Sequence, residues 1–264
     1  MSRRTIPGPD VLLCENCGYV LEGLDERGSC PECGKAVSES LSMKRVGSPW
    51  QRRPGLGSWI STIRMVVGRP VAIWNVVSVE PLRAAYLTMI NIVLACAGPA
   101  IAMLVFSLMP PLHNRDWFGA ALVSFLATWA IGAPVVSGLS LIEYAGIRGL
   151  AHVHRWRVGH VAAIAICAHA SVAWLGLLAL AIVPLFAIEP DWMISIVSTR
   201  EESRTLAAFG LVLLLCAIWY SILCGIGYKH MRFANAPRAV QPQPPSGHTI
   251  EAPRAGGGGS GDGQ

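Results

Sequence analysis

The 264-residue sequence predicts an all-α polytopic membrane bundle of four transmembrane helices, preceded by a small four-cysteine module. Three observations carry that expectation. Only 14% of the residues are charged and 53% are hydrophobic, against the roughly 25% charge of a soluble domain. Four uncharged stretches, 84–114, 117–142, 158–188 and 205–228, hold 112 of the 264 positions. Four of the eight cysteines form two C-x-x-C pairs near the amino terminus, while Cys96, Cys167, Cys216 and Cys224 lie singly in the apolar stretches. The first two observations argue against an ordinary cytosolic enzyme.

Residues 1–9 run through Pro7, Gly8 and Pro9 without an apolar core, so they read as disordered and not as a cleavable signal. The first span is then expected to drive insertion itself. Residues 10–40 form the cysteine module, Cys14-Glu15-Asn16-Cys17-Gly18 and Cys30-Pro31-Glu32-Cys33-Gly34, with 12 residues between the pairs. Two residues between cysteines let a tight turn aim both sulfurs at one ion, and Gly18 and Gly34 can take the positive φ such turns need. Cys14, Cys17, Cys30 and Cys33 therefore make a closed Cys₄ set, as in a structural zinc ribbon holding one Zn²⁺ with no open position for substrate. A reducing cytoplasm disfavours disulfides. Rubredoxin uses similar turns for iron, but spaces them farther apart around an aromatic core that Tyr19 to Leu24 is too short to supply. A module of this size lacks an adequate apolar core, so the metal is expected to supply much of its folding energy. Seven acidic residues against Arg27 and Lys35 in residues 10–40, plus about −2 from a zinc tetrathiolate, argue against nucleic acid and for a protein partner or plain structural capping.

Residues 41–83 form a basic linker. Trp59, Ile60, Ile63, Val66 and Val67 share one helical face, flanked or opposed by Arg52, Arg53, Arg64 and Arg69. Ile73, Trp74 and Val77 resume an apolar face after Pro70. Interfacial amphipathic helices attracted to anionic lipid headgroups fit this pattern, and a soluble helix packed on the ribbon or on the membrane bundle is the alternative.

A bilayer core of about 30 Å needs roughly 20 apolar helical residues. Spans are expected at about 84–109, 118–142, 161–188 and 206–228, within a membrane domain 84–232. Thirteen Lys and Arg flank one side of these spans and three the other. Basic residues are retained in the cytoplasm, so both termini are expected to be cytoplasmic and the chain integral to the cytoplasmic (inner) membrane. Pro99 and Pro134 mark places where spans one and two can break. The small pairs Gly98/Ala102 and Ala133/Ser137 suit a compact bundle or a homo-oligomer equally.

His169 is the one clear ionisable residue inside a span, and such residues are functional candidates by default. With His152, His154 and His160 it defines the competing expectation, a membrane enzyme or transporter. A hydrogen bond from His169 to Asn91, Ser124 or Ser221 is the simpler expectation. No acid pair, phosphate loop or nucleophile motif appears, so no catalytic residue is assigned. Residues 233–264, rich in Pro and Gly, are expected to be disordered.

The run Cys-x-x-Cys-Gly-Tyr-Val-Leu-Glu-Gly-Leu, followed by Cys-Pro-Glu-Cys-Gly, resembles the amino-terminal zinc ribbons fused to bacterial multispan membrane proteins. The remainder carries Arg69-Pro70-x-x-Ile-Trp, Cys167-Ala-His-Ala-Ser171 and a closing Gly-Ile-Gly-Tyr-Lys-His, and is similar to the YIP-type multispan family. That similarity implies a membrane-organising or trafficking-adaptor role without catalytic residues. The expected function is a non-enzymatic membrane protein presenting a zinc ribbon for protein interaction or membrane organisation.

Overall fold

A computed structural model describes Gly8 and residues 11–107, 115–179 and 202–235. Past the cysteine module, two 3₁₀ turns, Val37–Ser40 and Ser42–Lys44, lead into three short helices, α1 (Pro49–Arg52), α2 (Leu56–Gly68) and α3 (Ile73–Val76). Four further helices follow: α4 (Pro81–Ser107), α5 (Arg115–His154), α6 (His160–Ala170) and α7 (Glu202–His230). No β-strand occurs among the described residues, only isolated bridges.

Local chemistry explains several boundaries. Ser48 and Gln51 cap each other's backbone amides, and Pro49 takes the first helical position of α1, where no amide donor is needed. Pro70 separates α2 from α3, and Pro81 opens α4. A 3₁₀ turn at Ser171–Trp174 extends α6 into a further helical stretch, 175–179.

Four helical segments are long and apolar enough to cross a membrane: Pro81–Gly98, Trp129–His154, His160–Ala179 and Gly210–His230. They overlap the four expected spans, the second lying at 129–154 where 118–142 was expected; 108–109 and 180–188 lie outside the described residues. Pro99 and Pro134 fall inside α4 and α5 without ending them. Helix α5 runs on past Ile142 through Glu143 and Arg148 to His154. Helical hydrogen bonds close within the backbone, so a charged side chain ends the apolar surface but not the helix.

The α6 segment forms the centre, with 72% of its positions buried against 17% for the α5 segment and 28% for α7. Its sequence is apolar on every face, as an enclosed helix requires, and Ala162, Ala163, Ala165, Ala168 and Ala170 let neighbours approach closely. Gly98 serves the same end, since a Cβ there would lie 2.8 Å from the Cα of Leu178. In contrast, Leu141 and Ile142 on α5 and Leu214, Leu215 and Ile222 on α7 face outward.

Two expected boundaries are corrected. The second half of the 41–83 linker does not lie apart as an interfacial element: Ile73, Trp74 and Val77 are fully buried in the bundle core. Trp74 sits edge-on to His169, with ring centroids 6.2 Å apart, and against Gly227 of α7. An apolar face satisfies lipid and protein equally, and here protein covers it. On α2, Val66 is buried while Leu56, Ile60 and Val67 stay exposed. The second correction concerns 233–264, expected as tail from its first residue. Ala234 and Asn235 are buried, so ordered structure continues to residue 235, and 236–264 lies outside the described residues.

Candidate metal centre

The two C-x-x-C-G segments fold identically, offset by 16 residues. Cys14 N donates to Tyr19 O at 2.8 Å and Gly18 N to Cys14 O at 2.8 Å; Cys30 N donates to Lys35 O at 2.8 Å and Gly34 N to Cys30 O at 2.9 Å. Gly18 and Gly34 have φ of +79° and +73°, values that side-chain-bearing residues adopt only with strain. Each knuckle closes on a single antiparallel bridge, Leu13 with Val20 and Ser29 with Ala36, so the expected ribbon is reduced to paired turns without strands.

This repetition places the Sγ atoms of Cys14, Cys17, Cys30 and Cys33 within 4.8 Å of one another. The Cys14–Cys33 and Cys17–Cys30 sulfurs are each 3.5 Å apart. A tetrahedral ion with metal–sulfur bonds of about 2.3 Å requires sulfur–sulfur edges of about 3.8 Å. The four sulfurs therefore fit a single ion. Among the described residues, this is the one group of three or more His, Cys, Asp or Glu side chains so placed.

The backbone favours charge at one sulfur, while burial pushes Cys17 up to about 12. The Lys35 amide, helped by the Asn16 side chain, lowers the Cys33 thiol to about 6, whereas burial raises Cys14 above its ordinary value. The module's buried apolar cluster contains only Cys14, Leu21, Cys30 and Val37. Half of that core is ligand.

The module is clasped to the bundle by residues the sequence did not single out. Asn235, just past α7, accepts from Leu13 N at 3.1 Å and donates to Leu13 O at 2.8 Å and Ser40 O at 2.7 Å. Arg157, between α5 and α6, donates to the carbonyls of Gly8 and Val11 and to the Asn235 side chain. Arg45 grips Glu15 through two bonds, of 2.7 and 3.0 Å, and donates to Trp74 O at 2.7 Å and Val77 O at 3.2 Å. Phe233 lies so close to Gly18 that a Cβ there would be 2.7 Å from its ring.

Asn235→Leu removes partners from the Leu13 amide and from the Leu13 and Ser40 carbonyls, and an unpaired buried polar group costs about 1–3 kcal/mol. The expected result is faster amide exchange at Leu13 with metal content unchanged. Unaltered exchange would show that the clasp contributes nothing.

The histidines do not converge. His169 is fully buried, its Nδ1 2.8 Å from Ala165 O and its Nε2 2.9 Å from Ser48 Oγ. A carbonyl only accepts, so the bonding assigns the ring proton to Nδ1 and leaves Nε2 to accept from the Ser48 hydroxyl. The partner is thus Ser48, not Asn91, Ser124 or Ser221. Asn91 accepts from Trp59 Nε1 at 2.9 Å and donates to Ser171 Oγ at 2.9 Å, and Ser221 pairs with Glu143; the Ser124 side chain lies outside the described residues. His160 pairs with the Tyr144 hydroxyl, His154 stacks on Trp156 and His152 is exposed.

No protein-family model, no curated protein and no solved structure matches this chain.

Proposed function

We propose that the chain is a non-enzymatic integral protein of the cytoplasmic (inner) membrane, crossing it four times with both termini cytoplasmic. Cys14, Cys17, Cys30 and Cys33 hold one structural zinc ion, and the loaded ribbon presents a docking surface to a protein partner. The observation that carries this reading is the Cys₄ cluster held against the bundle by Asn235 and Arg45. Four ligands leave no position for a reacting group. Tyr19, Val20 and Leu24 are 39–41% exposed on the module, an apolar surface suited to a protein contact.

The basic flanks support the orientation, and the exposed Arg52, Arg53, Arg64 and Arg69 are suited to anionic headgroups. The membrane-organising role implied by the YIP-type resemblance belongs to the same proposal. An enzyme or transporter built on His169 is less favoured because both of its ring nitrogens are engaged within the fold.

The test is purification of the full chain from membranes in mild detergent, with metal analysis and identification of co-purifying proteins. The expected result is resistance to carbonate extraction, about one zinc per chain, and a partner lost in Tyr19→Ser/Leu24→Ser while zinc is kept. Carbonate release, a zinc-free protein, or partners indifferent to that substitution would each overturn the corresponding part.

A further inference from the structure

Between the module and the bundle opens a crevice of about 490 Å³, lined by Glu15, Lys35, Arg45, Trp156, Lys229 and Arg232 among others. Its charges do not cancel. Glu15 is engaged by two nitrogens of Arg45. Lys35, Lys229 and Arg232 also line the crevice, and Glu15 is the one carboxylate among its lining residues.

The third cation is also held in place. The Arg232 guanidinium lies 5.5 Å from the Trp156 ring centroid and 5.3 Å from that of Phe233, and donates to Asn16 O. Stacking fixes the guanidinium plane without neutralising its charge. Most of its N–H donors have no acceptor among the described residues. Lys229 belongs to the last turn of α7, and Lys35 comes from the second knuckle, so the cations converge from separate elements.

We propose that this crevice binds a phosphate group, with Lys35, Lys229 and Arg232 as its cationic ligands. A guanidinium held against two rings, with two ammonium groups lining the same crevice, matches the several acceptor oxygens of phosphate better than the single plane of a carboxylate. The position suggests how the group arrives. Lys229 and His230 end the apolar segment Gly210–His230, and basic residues at the end of a spanning helix sit at the level of lipid phosphates. A phospholipid headgroup and a free phosphate compound share this chemistry. The lipid route rests on the membrane reading above; the free-phosphate route does not.

The experiment uses the full chain in maltoside micelles with two probes: inorganic phosphate, followed by calorimetry, and added phosphatidylglycerol, followed by native mass spectrometry with phosphatidylcholine as control. Wild type is compared with Lys35→Gln/Lys229→Gln, which leaves Arg232 and the clasp intact. Each ammonium near a phosphate contributes about fivefold, so binding is expected to weaken roughly 30-fold in the double variant. Added salt should weaken the wild-type interaction. Retention of phosphatidylglycerol alone identifies a headgroup site, and binding of inorganic phosphate identifies a site open to soluble compounds. No preference for either anion over phosphatidylcholine, or equal binding by the variant, overturns the proposal. Zinc content, measured on the same samples, reports separately on the metal reading.

Discussion

Replacing Cys30 by serine is expected to abolish tight metal binding and unfold residues 11–40 while the helical bundle persists. Cys30 is 2% exposed and Cys14 fully buried, and together they make up half of a four-residue apolar cluster. That cluster is too small to offset the conformational entropy of about 30 residues. Metal binding in small zinc modules is worth about 10–16 kcal/mol, and it appears as folding energy. The single substitution therefore removes more than the module has to spare. Metal analysis should give no tightly bound zinc, amide exchange at Leu21 should lose its protection, and the far-ultraviolet helical signal should stay near the wild-type level. Retained metal with a protected Leu21 amide would show that the four cysteines are not the folding ligand set.

The second large effect is expected at Arg45. Its side chain is 3% exposed and that of Glu15 is 9% exposed, so the pair is almost fully removed from water. Arg45→Ala strands the Glu15 carboxylate and takes a donor from the carbonyls of Trp74 and Val77. Breaking one side of such a pair costs about 3–5 kcal/mol, whereas replacing both partners is far milder. Arg45→Met/Glu15→Gln should consequently recover much of what Arg45→Ala loses. Thermal melts in detergent, with exchange at the Glu15 amide, compare the two variants. A single variant no less stable than wild type would mean that Glu15 is rehydrated without loss of packing.

These residues also show where sequence reasoning reaches its limit. The cysteine knuckles were legible because ligand spacing, the following glycine and the turn geometry all lie within a few residues of one another. The four apolar helices were legible because charge-free length is a local property. Asn235 was not, since its partner Leu13 is 222 residues away and a lone asparagine before a proline-rich stretch carries no periodic signal. The bond from His169 to Ser48 spans 121 residues and escaped notice for the same reason. The covering of Trp74 was hidden differently. Helical periodicity identified an apolar face, but it does not distinguish lipid from the Ile166 and Gly227 surface that covers it here. Helix α5 exceeded its expected span because the apolar run measured where charge resumes, and the helix does not end there.

The clasp between Leu13 and Asn235 implies an order of assembly. The module is translated before the helices, and Arg232, Phe233 and Asn235 are made only after α7. Domains generally fold as they are synthesised, amino-terminal part first. The cysteine knuckles can therefore load metal while the helices are still being made, but the seat they dock on is completed last. Closing so long a loop costs only about 0.6 kcal/mol for each doubling of its length, so the delay is set by synthesis and not by the search. A chain stopped before residue 232 would keep the Arg45 and Arg157 contacts but lack those of Arg232, Phe233 and Asn235. Completion of the docking contact would thus mark the chains in which α7 has been made and placed.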